Sequence, residues 1–206
     1  HRIGEDPKFE RQLKRAIEKT GQGAIRFPAP YEDSATLAAQ ASYSLLKRNP
    51  DSTRRLRYIG TGTETTVDQS KPVAAYLEGM LQNSGVDVPE TLMTFQTQHA
   101  CAGGTIAMMS IAGLLAGSSQ DDSGLVVSSD IARYEAPSTA EITQGAGAVS
   151  LLVERDPKLV ELDMDTQGLC SRDVDDFFRP IGSVTAKVKG AYSMQCYNEA
   201  LEVAFE

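Results

Sequence analysis

Cys101 stands in the segment QHACAGGT, between a stretch that reads as a strand ending near Phe95 and one that reads as a helix running on to Ala116. A thiol at such a corner meets the positive end of the helix dipole, which lowers its pKa, and the thiolate is the nucleophilic form. Gly103 and Gly104 directly after it leave room for a substrate or a neighbouring backbone. The same residues also describe a buried, inert cysteine at the start of a core helix. Glu64, in GTGTETTVDQSK, lies just past another strand and before another helix. In parallel α/β sheets sites form at the carboxyl ends of strands, and both Glu64 and Cys101 fall at such ends. A carboxylate in an apolar crevice can have its pKa raised and exchange protons with a carbon acid, as carbon–carbon bond formation requires. Against that, Glu64 reads equally as a solvated or capping residue of a first helical turn, and Asp68 carries the same two readings.

Other candidates are weaker. His99 precedes Cys101 by two residues, a spacing that suits a structural histidine as well as a Cys–His pair, and His1 is terminal. Gly60-Thr61-Gly62 and Gly145-Ala146-Gly147 lack the third glycine and the wider dinucleotide pattern. The three cysteines, Cys101, Cys170 and Cys196, are an odd number without CxxC spacing or histidine partners, so neither a disulfide framework nor a metal site is indicated.

The elements that would position these residues are legible in the apolar periodicity. Helical spacing covers Pro7 to Thr20, Asp33 to Arg48, Ser70 to Gln82, Ala100 to Ala116 and Tyr192 to Phe205. Strand patterns cover Leu56 to Gly60, Leu92 to Phe95, Leu125 to Ser128 and Gly145 to Val153. Their alternation argues for an α/β fold with a largely parallel, buried sheet, its last two strands lacking a long helix between them. With 206 residues, 41% of them hydrophobic, and 17 glycines, the chain can bury a real core. A net charge of −8 argues against nucleic acid as a partner, which needs a basic footprint. No apolar run approaches a membrane span and no signal-like segment leads the chain, so the expectation is a cytoplasmic protein without a membrane partner.

In this order and spacing TGTETTVDQSK, QHACAGGT, VVSSDIARYEAPSTAEITQGAGAVSLL, DDFFRP and YSMQCYNEAL resemble the amino-terminal half of the 3-hydroxy-3-methylglutaryl-CoA synthases, condensing enzymes of the thiolase fold. The resemblance runs from about Tyr31 to about Leu201. It implies one half of a thiolase-like α/β fold, a mostly parallel five-stranded sheet sandwiched between helices. Residues 1–155 would form the half carrying the nucleophile, and 156–206 a connecting segment leading towards a carboxyl-terminal half absent from this chain. It further implies that Cys101 takes an acetyl group from acetyl-CoA, and that Glu64 removes a methyl proton so that the carbanion attacks acetoacetyl-CoA. Backbone amides at the helix start would serve the developing oxyanion. Tyr134 and Asp130 in DIARY match positions that line and support the acyl pocket, Asp68 and Asp176 acidic positions that support the site, and Ser138 and Ser193 positions near the CoA chain. Thr143 joins this substrate-binding set. The implied substrates are coenzyme A thioesters with no resident cofactor or metal, and the implied partners a second copy of the chain and the missing half.

Two departures stand out. Where the family often has tyrosine after the nucleophile this chain has Ala102, which implies a wider pocket. The family's histidine that holds the acetoacetyl thioester lies in the carboxyl-terminal half, and no residue here matches it. The family's opening strand is also unmatched, so the expectation is a chain cut at both ends. The resemblance leaves the pathway open between mevalonate-based isoprenoid synthesis and β-branching in polyketide assembly, where the acceptor rides on a carrier protein. A thiolase or ketoacyl-synthase relative and a non-catalytic half that binds or assembles are the other readings. Glu64 opposes the former, which relies on His with Asn or on a second Cys.

Overall fold

The computed structural model describes residues 6–205, so His1 lies outside the described residues. The chain divides into two compact units, one of residues 28–131 and 146–162, the other of 1–27, 132–145 and 163–206.

The larger unit is the α/β body. Its helices are α2 (Ser34–Leu46), the short α3 (Pro50–Arg54), α4 (Val73–Asn83) and α5 (Gly103–Ala116). Its strands are β1 (Leu56–Gly62), β2 (Met93–Thr97), β3 (Ser123–Ala132) and β4 (Gly145–Glu154), in the order β2-β1-β3-β4. β1 pairs in parallel with both β2 and β3. The described sheet therefore has four strands, not the five the resemblance implied; the sequence itself offers four strand patterns, and each becomes one of these strands.

Period-two alternation sorts the strand side chains between two faces. Ile59, Leu125 and Val127 pack with Ala35, Ala38, Leu46, Val73, Leu77 and Leu81 of α2 and α4. On the opposite face Val126, with Tyr58 and Phe95 at its margin, meets Ala107, Ile111 and Leu115 of α5. Each of the fully buried Leu and Ile side chains contributes about 1.5–3 kcal/mol.

α5 approaches the sheet closely because glycine stands at three of the positions beneath it. A Cβ on Gly60 would sit 2.7 Å from the Phe95 ring. One on Gly124 would overlap Ile111, and one on Gly62 would overlap the backbone of Gly103 and Gly104. The helix start thus rests directly on β1.

Several boundaries move for local reasons. α4 begins at Val73 rather than Ser70 because Pro72 is extended (ψ 147°) and the N–H groups of Ser70 and Lys71 bond the Asp68 carboxylate at 2.7 and 2.8 Å. α5 begins at Gly103, so Cys101 precedes the helix. α2 lies within the expected Asp33 to Arg48, starting one residue later because Asp33 is its cap, in a capping box with Thr36, and ending at Leu46.

The smaller unit contains α1 (Pro7–Thr20), a 3₁₀ turn (Thr139–Thr143), the antiparallel two-residue strands β5 (Phe177–Phe178) and β6 (Lys187–Val188), and α6 (Gly190–Ala204). α1 is capped by Asp6, which accepts from the Lys8 and Phe9 N–H groups, and ends at Gly21 in the left-handed region (φ 65°), where a Cβ would be strained.

Candidate active site

In the larger unit Gly62 is the register partner of Thr97 on one side and of Ser128 on the other. Three strands therefore reach the same level together. Glu64 follows β1 by two residues, Cys101 follows β2 by four, and Asp130 lies two residues beyond Ser128. The expectation that Glu64 and Cys101 occupy carboxyl ends of strands holds, and the strands are immediate neighbours.

One carboxylate makes four of the hydrogen bonds that fix the loop carrying Glu64. Asp130 Oδ1 accepts from the Thr63 hydroxyl (2.9 Å), the Glu64 N–H (2.9 Å), the Thr65 N–H (3.1 Å) and the Thr65 hydroxyl (2.7 Å). Thr65 Oγ1 accepts in turn from the Ile131 N–H at 3.0 Å, closing the network. Donors spread over three consecutive residues leave the backbone around Glu64 little freedom. Asp130 is thus seen holding the Glu64 loop. Thr63 and Thr65 were not singled out from sequence, although a run of threonines just past a strand end offered hydroxyls where loop backbone needs them.

The Cys101 corner is a tight turn. The Ala102 N–H donates to the His99 carbonyl at 3.0 Å and the Gly103 N–H to the Ala100 carbonyl at 3.2 Å. Those two amides are consequently spent inside the corner, and an oxyanion drawn to the helix start would have to use others. Ala100 has φ 42°, the one positive φ outside glycine among the described residues, so the backbone just before the thiol is in a disfavoured conformation. The group of His99 that the corner uses is its carbonyl.

The thiol itself departs from expectation. The helix dipole was expected to lower its pKa, but the Cys101 pKa is raised. Partial burial of the thiol, in a residue exposed overall, is the largest cause, followed by the negative charges of Glu64 and then Asp130, with only a backbone hydrogen bond of Cys101 acting the other way. Burial and two nearby negative charges both favour the neutral thiol over the thiolate. The same shift shows that Cys101 lies within electrostatic reach of both carboxylates.

Asp68 is a loop-closing residue. Besides its bonds to the Ser70 and Lys71 amides, its Oδ2 accepts from the Tyr76 hydroxyl at 3.2 Å, and the Lys71 ammonium lies 4.1 Å from the Tyr76 ring centre. The two amide bonds, ahead of the other contributions, hold its carboxyl below the usual range. Gln96 does similar work, its Oε1 accepting from the Val73 N–H at 2.8 Å and so fixing the start of α4.

The remaining expected residues lie in the smaller unit. Ser193 donates to Asp176 Oδ2 at 2.8 Å, and the Lys189 N–H to the Asp176 carbonyl at 2.8 Å, so these two candidates are brought together at the start of α6. The Tyr134 ring meets Phe177 edge-on with centroids 6.4 Å apart. The Ser138 N–H donates to the Glu141 carboxylate at 2.8 Å at the start of the 3₁₀ turn. Thr143 is exposed, and its hydroxyl is spent on the Ala140 carbonyl at 2.8 Å. Cys170 and Cys196 are half-buried free thiols. Among the described residues no group of three or more His, Cys, Asp or Glu is placed to hold a metal ion.

A mostly parallel sheet flanked by helices, with a thiol and a carboxylate on neighbouring strand ends, defines one half of a thiolase-like α/β fold. Residues 9–158 match the family model for the amino-terminal part of hydroxymethylglutaryl-coenzyme A synthase. The chain belongs to the hydroxymethylglutaryl-CoA synthase family. It is 34% identical to the hydroxymethylglutaryl-CoA synthase of Haloferax volcanii over 98% of its own length and 44% of that protein. It is 36% identical to the mitochondrial enzyme of Bos taurus over 90% of its length and 36% of that protein. Among solved structures it is similar to MvaS in complex with 3-hydroxy-3-methylglutaryl coenzyme A, with TM-score 0.83 and 40% identity over 94% of this chain and 47% of that one. An HMG-CoA synthase complexed with CoA gives TM-score 0.84 at 29% identity over 93% and 47%. The chain thus spans about half the length, or less, of the relatives it matches.

Proposed function

We propose that this chain is the nucleophile-bearing part of an acyltransferase that condenses acetyl-CoA with acetoacetyl-CoA to 3-hydroxy-3-methylglutaryl-CoA. Cys101 Sγ attacks the thioester carbonyl of acetyl-CoA, its proton leaves with the coenzyme A thiolate, and an acetyl-cysteine remains. Glu64 takes a proton from the acetyl methyl, the carbanion adds to the ketone carbon of acetoacetyl-CoA, and the new alkoxide is protonated. Water then cleaves the enzyme thioester. The observation that supports this best is the placement of Glu64 and Cys101 on adjoining parallel strands, close enough for the carboxylate to push the thiol pKa up. A thiol held protonated at neutral pH needs a base at the moment of attack, and a high-pKa thiolate is the more reactive once formed.

The proposal needs no resident cofactor or metal, since both reactants are thioesters. On the resemblance alone Tyr134, Asp176, Ser138, Ser193 and Thr143 are assigned to substrate binding. A carboxyl-terminal half supplying the acceptor's histidine, and a second copy forming a homodimer, belong to the same proposal, supported by the half-length match to the relatives. So do a cytoplasmic location and a place in mevalonate synthesis. No described helix is long and apolar enough to cross a membrane, and relatives named cytoplasmic and mitochondrial both match.

The test is incubation with acetyl-CoA followed by peptide mass spectrometry. Acetyl on Cys101, with Glu64→Ala retaining that acetyl but losing condensation, is the expected result. Equal loss of both steps in Glu64→Ala overturns the role given to Glu64, and no acetyl on the complete, folded polypeptide overturns the reaction.

A further inference from the structure

Thr97, the last residue of β2, is bonded to both of the loops that matter. Its hydroxyl donates to the Gly103 carbonyl at 2.5 Å, with the Thr61 carbonyl 3.4 Å away as a second acceptor. Its own carbonyl accepts from the Thr63 N–H at 3.3 Å. Gly103 lies two residues after Cys101, and Thr63 one residue before Glu64. The start of α5 is at the same time in backbone contact with Gly62, the register partner of Thr97, and a Cβ on Gly103 would come within 3.0 Å of the Thr97 carbonyl oxygen. Packing keeps the helix start from moving down onto the sheet, and the Thr97 hydroxyl keeps it from lifting away.

We infer that Thr97 is a positioning residue, a clasp that holds the Cys101 corner and the Glu64 loop at a fixed separation. The inference takes its catalytic meaning from the acyl-transfer reading above, but the coupling it describes can be measured without turnover. Glu64 acts on the Cys101 thiol through space, so the effect of removing its charge reports how closely the two loops are held. Thr97→Val deletes the hydroxyl at nearly constant shape and leaves the backbone bond to Thr63 in place.

The experiment follows iodoacetamide alkylation of Cys101 against pH in the complete polypeptide, read by peptide mass spectrometry. The backgrounds are the unmodified protein, Thr97→Val, Thr97→Ala and Thr97→Ser, each with and without Glu64→Gln. In the unmodified protein Glu64→Gln lowers the alkylation midpoint. That shift is expected to shrink by about half or more in Thr97→Val and Thr97→Ala and to return in Thr97→Ser, a non-additivity that marks coupling. In the same variants condensation should fall roughly 10-fold or more while acetylation of Cys101 changes far less, since condensation alone needs both loops in register. Equal Glu64→Gln shifts in every background overturn the clasp and leave the pairing of Glu64 with Cys101 standing. No shift even in the unmodified protein overturns the pairing, and the clasp with it. Two hydroxyl-free variants ensure that a folding defect in one does not decide the matter.

Discussion

Asp130 accepts the backbone N–H of Glu64 at 2.9 Å from a position 66 residues further along the chain. The bond joins the end of β3 to the loop after β1, so one carboxylate sets where another can point. Removing it should be costly for the loop and mild for the rest of the body. Asp130→Ala removes the acceptor shared by two amides and two hydroxyls, of which the Thr65 N–H keeps another, the Thr63 hydroxyl at 3.0 Å, and should lower stability by about 2–3 kcal/mol in urea denaturation. Asp130→Asn keeps an oxygen in place and should cost about 1 kcal/mol or less. Equal losses for the two would show that the clasp on the loop is not what Asp130 contributes.

The raised pKa of Cys101 has a direct kinetic reading. Its alkylation should have a midpoint above that of an ordinary exposed thiol, because the uncharged form is favoured by burial and by Glu64 and Asp130. Alkylation should therefore be slow at neutral pH and rise steeply in the alkaline range, and Asp130→Asn should move the midpoint down. A midpoint below the ordinary thiol range would mean that the helix start wins after all.

Two glycines make opposite predictions. Gly62→Ala drives a methyl into the backbone of Gly103 and Gly104, which cannot turn aside as a side chain could. Overpacking of this kind should cost about 1–3 kcal/mol and displace the Cys101 corner. Gly79, inside α4, has nothing within 4 Å of an added Cβ, so Gly79→Ala should stabilise by about 0.5–1 kcal/mol. Thermal melts of the pair would check both signs.

Asp68 links its loop to pH. Its carboxyl is depressed by the Ser70 and Lys71 amides, so it contributes stability above the unfolded carboxylate pKa and loses it as pH falls through the lower folded value. Asp68→Asn should therefore be less stable than the parent at neutral pH and converge with it in acid. A gap that persists unchanged to the acid limit would assign the loss to packing instead.

Much of the secondary structure is legible in the sequence because its signal is local. The helix over Pro7–Thr20 is fixed by apolar spacing, an Asp at its start and glycine at its end, and the structure returns the same span. The placement of Glu64 and Cys101 at strand ends followed from counting elements. What stayed hidden depends on register: that Gly62 lies between Thr97 and Ser128 can be known only once β1 pairs with both neighbours. The roles of Thr63, Thr65 and Thr97 follow from that register. The direction of the thiol pKa is hidden for the same reason, since burial and the charges of Glu64 and Asp130 come from the folded arrangement, whereas the helix end is adjacent in sequence. α3 is not legible because five residues, beginning at Pro50 itself, are too few to show a period.

The close seat of α5 also limits how this site can change. A side chain added at Gly62 meets the backbone of Gly103 and Gly104, and one added at Gly60 or Gly124 meets the Phe95 ring or Ile111. The open side differs: Ala102 is exposed beside the thiol, so an exchange there alters the approach to Cys101 and leaves the bearing on which the corner sits untouched.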